Sequence, residues 1–220
     1  MKVKATIIKP AGAIYKDPVP IDPTRFGDPV ALNTEWTPGR GDGASFCTHR
    51  LVRSNPQKME FRMTASTKTL FYVFLVAGII ILLYVFSGHW SAFPLCLGLG
   101  FALVGGGLLY FKTAPLVFDK STGMFRKGRT KSGQLPDHDN PKNMVALDSV
   151  HALQLLSKYV PAKKPYYTHE LNLVLKNGKR LTVLSHADKS RIREDAQALS
   201  GFLNIPVWDA IDDDTTTYSW

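Results

Sequence analysis

The sequence predicts a membrane protein of the α+β class: a hairpin of two transmembrane helices joined to an antiparallel β domain that a C-terminal amphipathic helix closes. The 43 residues from Thr69 to Phe111 contain no Lys, Arg, Asp or Glu. Short segments of alternating polar and apolar residues, separated by turn residues, flank this run. Apolar residues then recur at helical spacing over residues 188–203. A water-soluble domain rarely contains such a long uncharged apolar run, so that class is excluded.

The uncharged run divides into two apolar segments, 70–86 and 92–111, joined by the polar turn 87–91. At about 1.5 Å of rise per residue, each segment spans about 26–30 Å as a helix. The hydrocarbon core of a bilayer is about 30 Å thick. The run therefore predicts two membrane crossings, with Trp90 in the connecting turn at one interface.

Basic residues flank the hairpin and are absent from its connecting turn. They are Arg53, Lys58, Arg62 and Lys68 before it, and Lys112, Lys120, Arg126, Lys127 and Arg129 after it. By the positive-inside rule, both termini are predicted to be cytoplasmic. Since no ionisable residue lies at mid-membrane, an ion pathway or proton relay is not expected.

The net charge is +9, a value that often indicates nucleic-acid binding. Here much of the excess lies beside the apolar run. It is interpreted as a topology signal, and nucleic acid is not an expected partner.

The chain before the hairpin is predicted to form two regions. Residues 1–43 are rich in Pro, Gly and Asp, with Asp-Pro pairs at 17–18, 22–23 and 28–29, and are expected to be irregular. Residues 44–68 contain two strand-like segments, 44–53 and 58–64, around the turn 54–57.

The chain after the hairpin, residues 112–207, is predicted to be the main β domain. The expected strands are 115–119, 124–126, a pair of short strands within 144–160, 166–175 and 179–185. Asn177-Gly178 is the strongest hairpin-turn signal. A helix over 188–203, capped by Asp188, follows. The acidic tail, 208–220, is expected to be mobile.

The hairpin ELNLVLKNGKRLTVLS at 170–185, followed by the amphipathic helix, resembles the pleckstrin-homology-like (PH-like) barrel of membrane-anchored bacterial proteins. The resemblance covers 116–207. It implies a two-pass protein of the bacterial inner membrane with a cytoplasmic PH-like domain. Because this segment offers fewer strands than such a barrel uses, 44–64 is predicted to complete the same sheet, which makes the membrane hairpin an insertion within one β domain.

Two sets of residues are candidates for binding. Cations that could contact anionic lipid head groups are Arg126, Lys127, Lys163, Lys164, Lys189, Arg191 and Arg193. An ordinary solvated surface is the favoured interpretation of these cations, because charge clusters usually form solvated faces. Gly98, Ala102 and Gly106 form a stripe of small residues on the second membrane helix. This stripe could dock a partner helix or a second copy, although packing within the hairpin is favoured.

No catalytic motif is present: the chain lacks a serine nucleophile elbow, a Walker loop and catalytic carboxylates in a recognisable context. His138 lies between two aspartates, but no second ligand pair accompanies it. We therefore expect no catalytic residue, no metal and no cofactor. The expected function is a non-catalytic interaction or scaffold module in contact with membrane lipid. The alternatives are an accessory subunit of a membrane complex, docked through the glycine stripe, and an enzyme with an unrecognised site beside the bilayer.

Overall fold

A computed structural model describes residues 21–39, 44–128, 143–160, 162 and 166–211. Within these described residues, a 3₁₀ turn, Pro23–Phe26, precedes four α-helices and nine strands. The helices are α1 (Pro29–Leu32), α2 (Ala65–Phe86), α3 (Ala92–Lys112) and α4 (Lys189–Leu203). The strands are β1 (His49–Asn55), β2 (Lys58–Met63), β3 (Leu116–Asp119), β4 (Met124–Lys127), β5 (Met144–Ala146), β6 (Val150–Val160), β7 (Tyr166–Leu175), β8 (Arg180–His186) and β9 (Val207–Ala210).

The first five strands form one antiparallel sheet in the order β1-β2-β3-β4-β5. Between β2 and β3 the chain leaves the sheet, runs through α2 and α3, and returns. β2 nevertheless pairs with β3, with Phe61 opposite Leu116 and Lys58 opposite Asp119. The prediction that 44–64 joins the sheet formed after the hairpin is confirmed, although its first strand begins only at His49.

The second sheet has the order β8-β7-β6-β9 and shares its core with the first sheet. One apolar cluster contains residues of both sheets and of α4. Its fully buried members include Phe61, Phe118, Leu153, Leu173 and Ile192. A shared core indicates that both sheets and α4 fold as one domain.

Residues 144–160 form strands and not a helix, as predicted, but only β5 is short, since β6 has 11 residues. β5 and β6 are separated by a 3₁₀ turn at Leu147–Ser149. The hairpin around Asn177-Gly178 also forms as predicted, with Gly178 at a φ of 77°. Positive φ suits glycine because it has no Cβ.

Helix α4 has the predicted boundaries. The Asp188 side chain accepts a hydrogen bond from the Arg191 amide and caps the first turn. Asn204 ends the helix in the left-handed conformation, with a φ of 59°. The buried positions Ile192, Ala196 and Leu199 lie on the predicted apolar face.

The prediction that 1–43 is irregular is wrong for part of the described segment 21–39. Two Asp-Pro pairs, interpreted as breakers, begin short helices here. The Asp22 and Asp28 carboxylates accept from the amides of Thr24 and Val30, and each following proline occupies the first helical position. Proline is favoured there because that amide has no partner within the helix. Residues 1–20 and 40–43 lie outside the described residues.

The prediction of a mobile tail from Trp208 onward is wrong for its first residues. β9 pairs in parallel with β6, and Gln154 lies opposite Trp208. Trp208 is 2% exposed and lies 5.8 Å, centroid to centroid, from the Trp36 ring. Burying this large apolar ring holds the segment in place. Residues 212–220 lie outside the described part of the chain.

Candidate functional site at the hairpin end of the β domain

Helices α2 and α3 are both long and apolar enough to cross a membrane. Their 22 and 21 residues give lengths of about 33 and 31 Å. Only 11% of the most apolar window of each helix is buried. Large side chains such as Phe93 and Leu103 are 76% and 74% exposed. Apolar surface therefore faces outward around much of the hairpin, unlike the buried core helix of a soluble domain.

The two helices contact each other through glycines. A Cβ on Gly78 of α2 would lie 2.4 Å from the Ala102 amide nitrogen, and a Cβ on Gly105 would lie 2.4 Å from the Leu75 amide nitrogen. A Cβ on Gly98 would lie 3.0 Å from the Leu82 side chain. Small residues at these positions allow the backbones to approach closely.

Small residues of α3 thus pack against α2 within the hairpin, which agrees with the favoured interpretation of the stripe. One of the three residues differs from the prediction. Gly98 and Ala102 face α2, and Gly105 replaces Gly106 as the third member. On a helix with 3.6 residues per turn, a residue seven positions after Gly98, which is Gly105, lies within about 20° of the direction of Gly98 around the helix axis. A residue eight positions after it, which is Gly106, lies about 80° away. A Cβ on Gly106 would meet Leu75 only at 3.9 Å, an ordinary contact.

The start of α2 is tied to the first sheet by hydrogen bonds around Thr64, the one residue between β2 and α2. The Thr64 amide donates to the Thr48 carbonyl at 2.9 Å. Its hydroxyl lies 3.4 Å from the Cys47 carbonyl and 2.8 Å from the Thr67 hydroxyl. These contacts fix the direction in which the chain leaves the sheet.

The cations selected from the sequence do not form one surface. Lys127 is partly buried and donates to the Thr182 carbonyl at 2.6 Å, and burial lowers its pKa. Arg193 pairs with Asp209 at 2.6 Å and thereby ties α4 to β9. Arg191 pairs with Glu194 at 3.1 Å, and Lys189 also lies on α4.

Arg126 lies in a different place from these α4 cations. It follows the buried Phe125, so strand alternation directs it to the outer face of the first sheet. Lys163 and Lys164 lie outside the described residues.

The binding candidates chosen from the sequence omitted two arginines on that same outer face, of which Arg62 had been used only to predict the topology. Arg50 of β1 lies directly opposite Arg62 of β2, and both side chains are exposed. Alternation within each predicted strand was the available signal for the face. The predicted turn at 54–57 would not have placed Arg50 opposite Arg62, because the strands extend to Asn55 and Lys58 and the register shifts between Arg53 and Asn55. With Leu51 and Phe61 facing the core, the neighbouring arginines must face outward.

A segment of the chain covers the outer face of the second sheet. The Gln154 amide donates to the Glu35 carbonyl at 3.1 Å, and the Gly39 amide donates to the Glu170 carboxylate at 3.0 Å. His151 contacts the Asp28 carboxylate at 2.7 Å. Residues 21–39 thus occupy this face, whereas on the first sheet Arg50 and Arg62 are exposed.

Three histidines lie in or beside the core, and burial lowers the pKa of each. The pKa falls to about 4 for His49 and for His169, with the positive charge of neighbouring groups adding to the effect of burial. For His186 the direction is the same and the cause is again burial. Burial has the opposite effect on a carboxyl, and the pKa of Asp195 on α4 rises to about 6.

These histidines predict a loss of stability in mild acid. An unfolded histidine binds its proton near pH 6.5, whereas folded His49 and His169 bind theirs only near pH 4. Their contribution is therefore complete above about pH 6.5 and is lost as the pH falls towards 4. We expect the melting temperature of the detergent-solubilised chain to fall by several degrees across this window, as monitored by tryptophan fluorescence.

Substitutions distinguish the contribution of the histidines to the pH dependence of stability from the opposite contribution of Asp195. Asp195 stabilises the fold as the pH falls from about 6 to 3.8, so it partly offsets the histidines. His169→Gln should flatten the pH dependence, and Asp195→Asn should make it steeper. A melting temperature that rises on acidification would contradict the assignment of these histidines as neutral in the folded state.

Among the described residues, no group of three or more His, Cys, Asp or Glu is placed to hold a metal ion. Cys47 and Cys96 are not disulfide-bonded. Cys47 lies at the start of the first sheet and Cys96 on the exposed surface of α3.

Comparison with known proteins gives no family for this chain. No protein-family model matches the sequence, and no curated protein matches it.

Proposed function

We propose that the chain is a non-catalytic, two-pass membrane protein whose β domain serves as an interaction module held at the membrane surface. The observation that carries the proposal is the hairpin, which exposes apolar side chains and returns the chain to the sheet that it left. Exposed apolar helices of this length are stable in a bilayer and unfavourable in water. An anchor inserted between paired strands would hold the β domain against one leaflet.

Charge supports a cytoplasmic β domain. Arg62, Lys68 and Lys112 lie at the end of the hairpin next to the sheet, whereas the connecting turn 87–91 contains no Lys or Arg. By the positive-inside rule, the sheet end is cytoplasmic and the turn lies across the membrane. The implied compartment is the bacterial inner membrane, as in the proteins that the chain resembles.

We further propose that the β domain is a PH-like barrel. Support comes from the order of elements: consecutive antiparallel strands in two sheets that share a core, followed by one amphipathic helix packed on that core. The parallel strand β9 and the covering segment 21–39 are additions to that plan. The alternative of an accessory subunit docked through the glycine stripe is less well supported, since Gly98 and Ala102 already contact α2.

Cysteine labelling in intact cells tests the topology. In a Cys47→Ser/Cys96→Ser chain, His89→Cys places a thiol in the connecting turn and Ser121→Cys places one in the exposed turn between β3 and β4. We expect a membrane-impermeant maleimide to label the His89→Cys chain in intact cells, and the Ser121→Cys chain only after permeabilisation. Labelling of both in intact cells, or of neither, would contradict the proposed orientation.

A further inference from the structure

Three arginines lie on the outer face of the first sheet, at the end nearest the hairpin. Arg50, Arg62 and Arg126 alternate with core-facing neighbours on β1, β2 and β4. Arg50 is directly opposite Arg62, and Arg126 is opposite Val117, which is in turn opposite Glu60. We call these three residues the arginine face.

Chain continuity places the arginine face close to the start of the membrane segment. Thr64 alone separates β2 from α2, so Arg62 precedes the first helical residue, Ala65, by three positions. The apolar stretch begins at Leu70, and residues 65–69 add about 7 Å of helix. That length is close to the thickness of one head-group layer, about 5–7 Å. On the other arm, residues 113–115 connect α3 to β3.

The positive charge of this face is only partly compensated. Arg62 donates to the Glu60 carboxylate at 2.7 Å, and the Ser54 hydroxyl donates to the same oxygen at 2.5 Å. No ion pair of Arg50 or Arg126 occurs within the described part of the chain. Like charges directly opposite each other on a sheet repel, and an anion between them would relieve this repulsion.

We propose that the arginine face binds the head groups of anionic phospholipids in the leaflet beside the β domain. This inference rests on the proposed membrane insertion of the hairpin. Guanidinium groups suit the phosphodiester because they donate two parallel hydrogen bonds to its oxygens. Lys68 and Lys112, at the ends of the two helices, add positive charge at the same level.

The position of the arginine face, at the end of the hairpin next to the sheet, favours a lipid over a soluble ligand as its binding partner. Positive charges within about one Debye length, roughly 8 Å, of an anionic membrane surface are attracted to it with little screening by salt. Because the hairpin already holds the β domain there, lipid binding needs no separate association step, whereas a soluble ligand must first diffuse to the site. The α4 cations are less suited to this role, because Arg191 and Arg193 already pair with acidic side chains.

Energy transfer in nanodiscs tests the inference on the full-length chain. A donor dye is placed at Val52→Cys, a 37% exposed position on the same face, in the Cys47→Ser/Cys96→Ser chain. The discs contain phosphatidylcholine and a trace of acceptor-labelled lipid, either phosphatidylglycerol or phosphatidylcholine. We expect stronger transfer to the labelled phosphatidylglycerol, and we expect added salt to reduce the difference.

Matched variants assign this preference to the arginine face. Arg50→Gln/Arg62→Gln/Arg126→Gln should reduce the preference for phosphatidylglycerol by more than tenfold, since each basic residue near the leaflet contributes a factor of about five. Arg53→Gln/Lys120→Gln/Lys176→Gln removes the same charge at exposed positions near the far end of the sheets and should leave the preference unchanged. Arg50→Gln alone should reduce it by about fivefold, and this variant breaks no hydrogen bond found among the described residues.

Resistance to carbonate extraction, measured first for each variant, separates the two proposals. A chain that washes off the membrane overturns the proposed membrane insertion. An embedded chain that shows no preference for phosphatidylglycerol, or that loses it equally in both triple variants, overturns only the assignment of the arginine face.

Discussion

Replacing residues 65–113 with a short glycine-containing turn should yield a water-soluble β domain that unfolds cooperatively. β2 and β3 are antiparallel neighbours with Phe61 opposite Leu116, so the chain ends left by the deletion lie across one strand pair. Two antiparallel strands need only a tight turn to connect them. We expect a monomer that is purified without detergent and shows a single thermal transition.

The control for this prediction removes residues 44–64 as well. That shorter chain joins residue 43 directly to Ala114 and lacks β1 and β2. The lost strands include the fully buried Phe61, whose ring centroid lies 6.3 Å from that of Phe118. Loss of a large buried aromatic side chain alone costs about 3–5 kcal/mol. We expect this chain to be unfolded or aggregated. If it folds as well as the chain that keeps 44–64, the two strands before the hairpin are not part of the domain.

Gly78→Ala should destabilise the helical hairpin, by about 1–3 kcal/mol as for other overpacking substitutions. The added methyl group would lie 2.4 Å from the Ala102 amide nitrogen and 2.8 Å from the Gly98 carbonyl oxygen. These are backbone atoms of α3, so the helices must separate to accommodate it. Thermal unfolding of the detergent-solubilised chain, followed by circular dichroism, measures the loss.

Gly100→Ala and Gly107→Ala are the matched controls, because a Cβ at either position meets nothing within 4 Å. Alanine favours the helix over glycine by up to about 1 kcal/mol. These variants should therefore be neutral or slightly stabilised. Equal destabilisation by Gly78→Ala and Gly100→Ala would contradict the helix contact described here.

The elements that the sequence predicts well are those determined by residues close together in the chain. The ends of α4 follow from Asp188 and Asn204, and the β7–β8 hairpin follows from Asn177-Gly178, because each signal acts over a few residues. The pairing of β2 with β3 could be predicted despite the long separation in sequence, since a hairpin of two helices of similar length returns the chain to where it left the sheet.

Other features depend on contacts between distant parts of the chain, which short-range patterns do not reveal. The segment 21–39 and β9 are ordered through the ring contacts of Phe26, Trp36 and Trp208. The same limit applies to the cations. Sequence clustering selected Lys127 and Arg193, which have long-range partners, and passed over Arg50 and Arg62, which strand pairing brings together.

Disulfide trapping between β2 and β3 tests most directly whether the helical hairpin is inserted within one β domain. Lys58 lies opposite Asp119, and the Lys120 amide donates to the Gln57 carbonyl at 2.8 Å, which makes this a non-hydrogen-bonded pair. Such pairs have Cα atoms about 4.5 Å apart, a separation that a disulfide spans. A protease site inserted in the turn 87–91 then allows the chain to be cut between α2 and α3.

In the Cys47→Ser/Cys96→Ser chain, oxidised Lys58→Cys/Asp119→Cys should keep the two fragments together on a non-reducing gel, and reduction should release them. The control pair Arg50→Cys/Asp119→Cys, with its positions two strands apart and displaced along the sheet, should not link the fragments. Linkage of the first pair alone is the result that a split β domain predicts. Fragments that separate under oxidising conditions in both variants would contradict it.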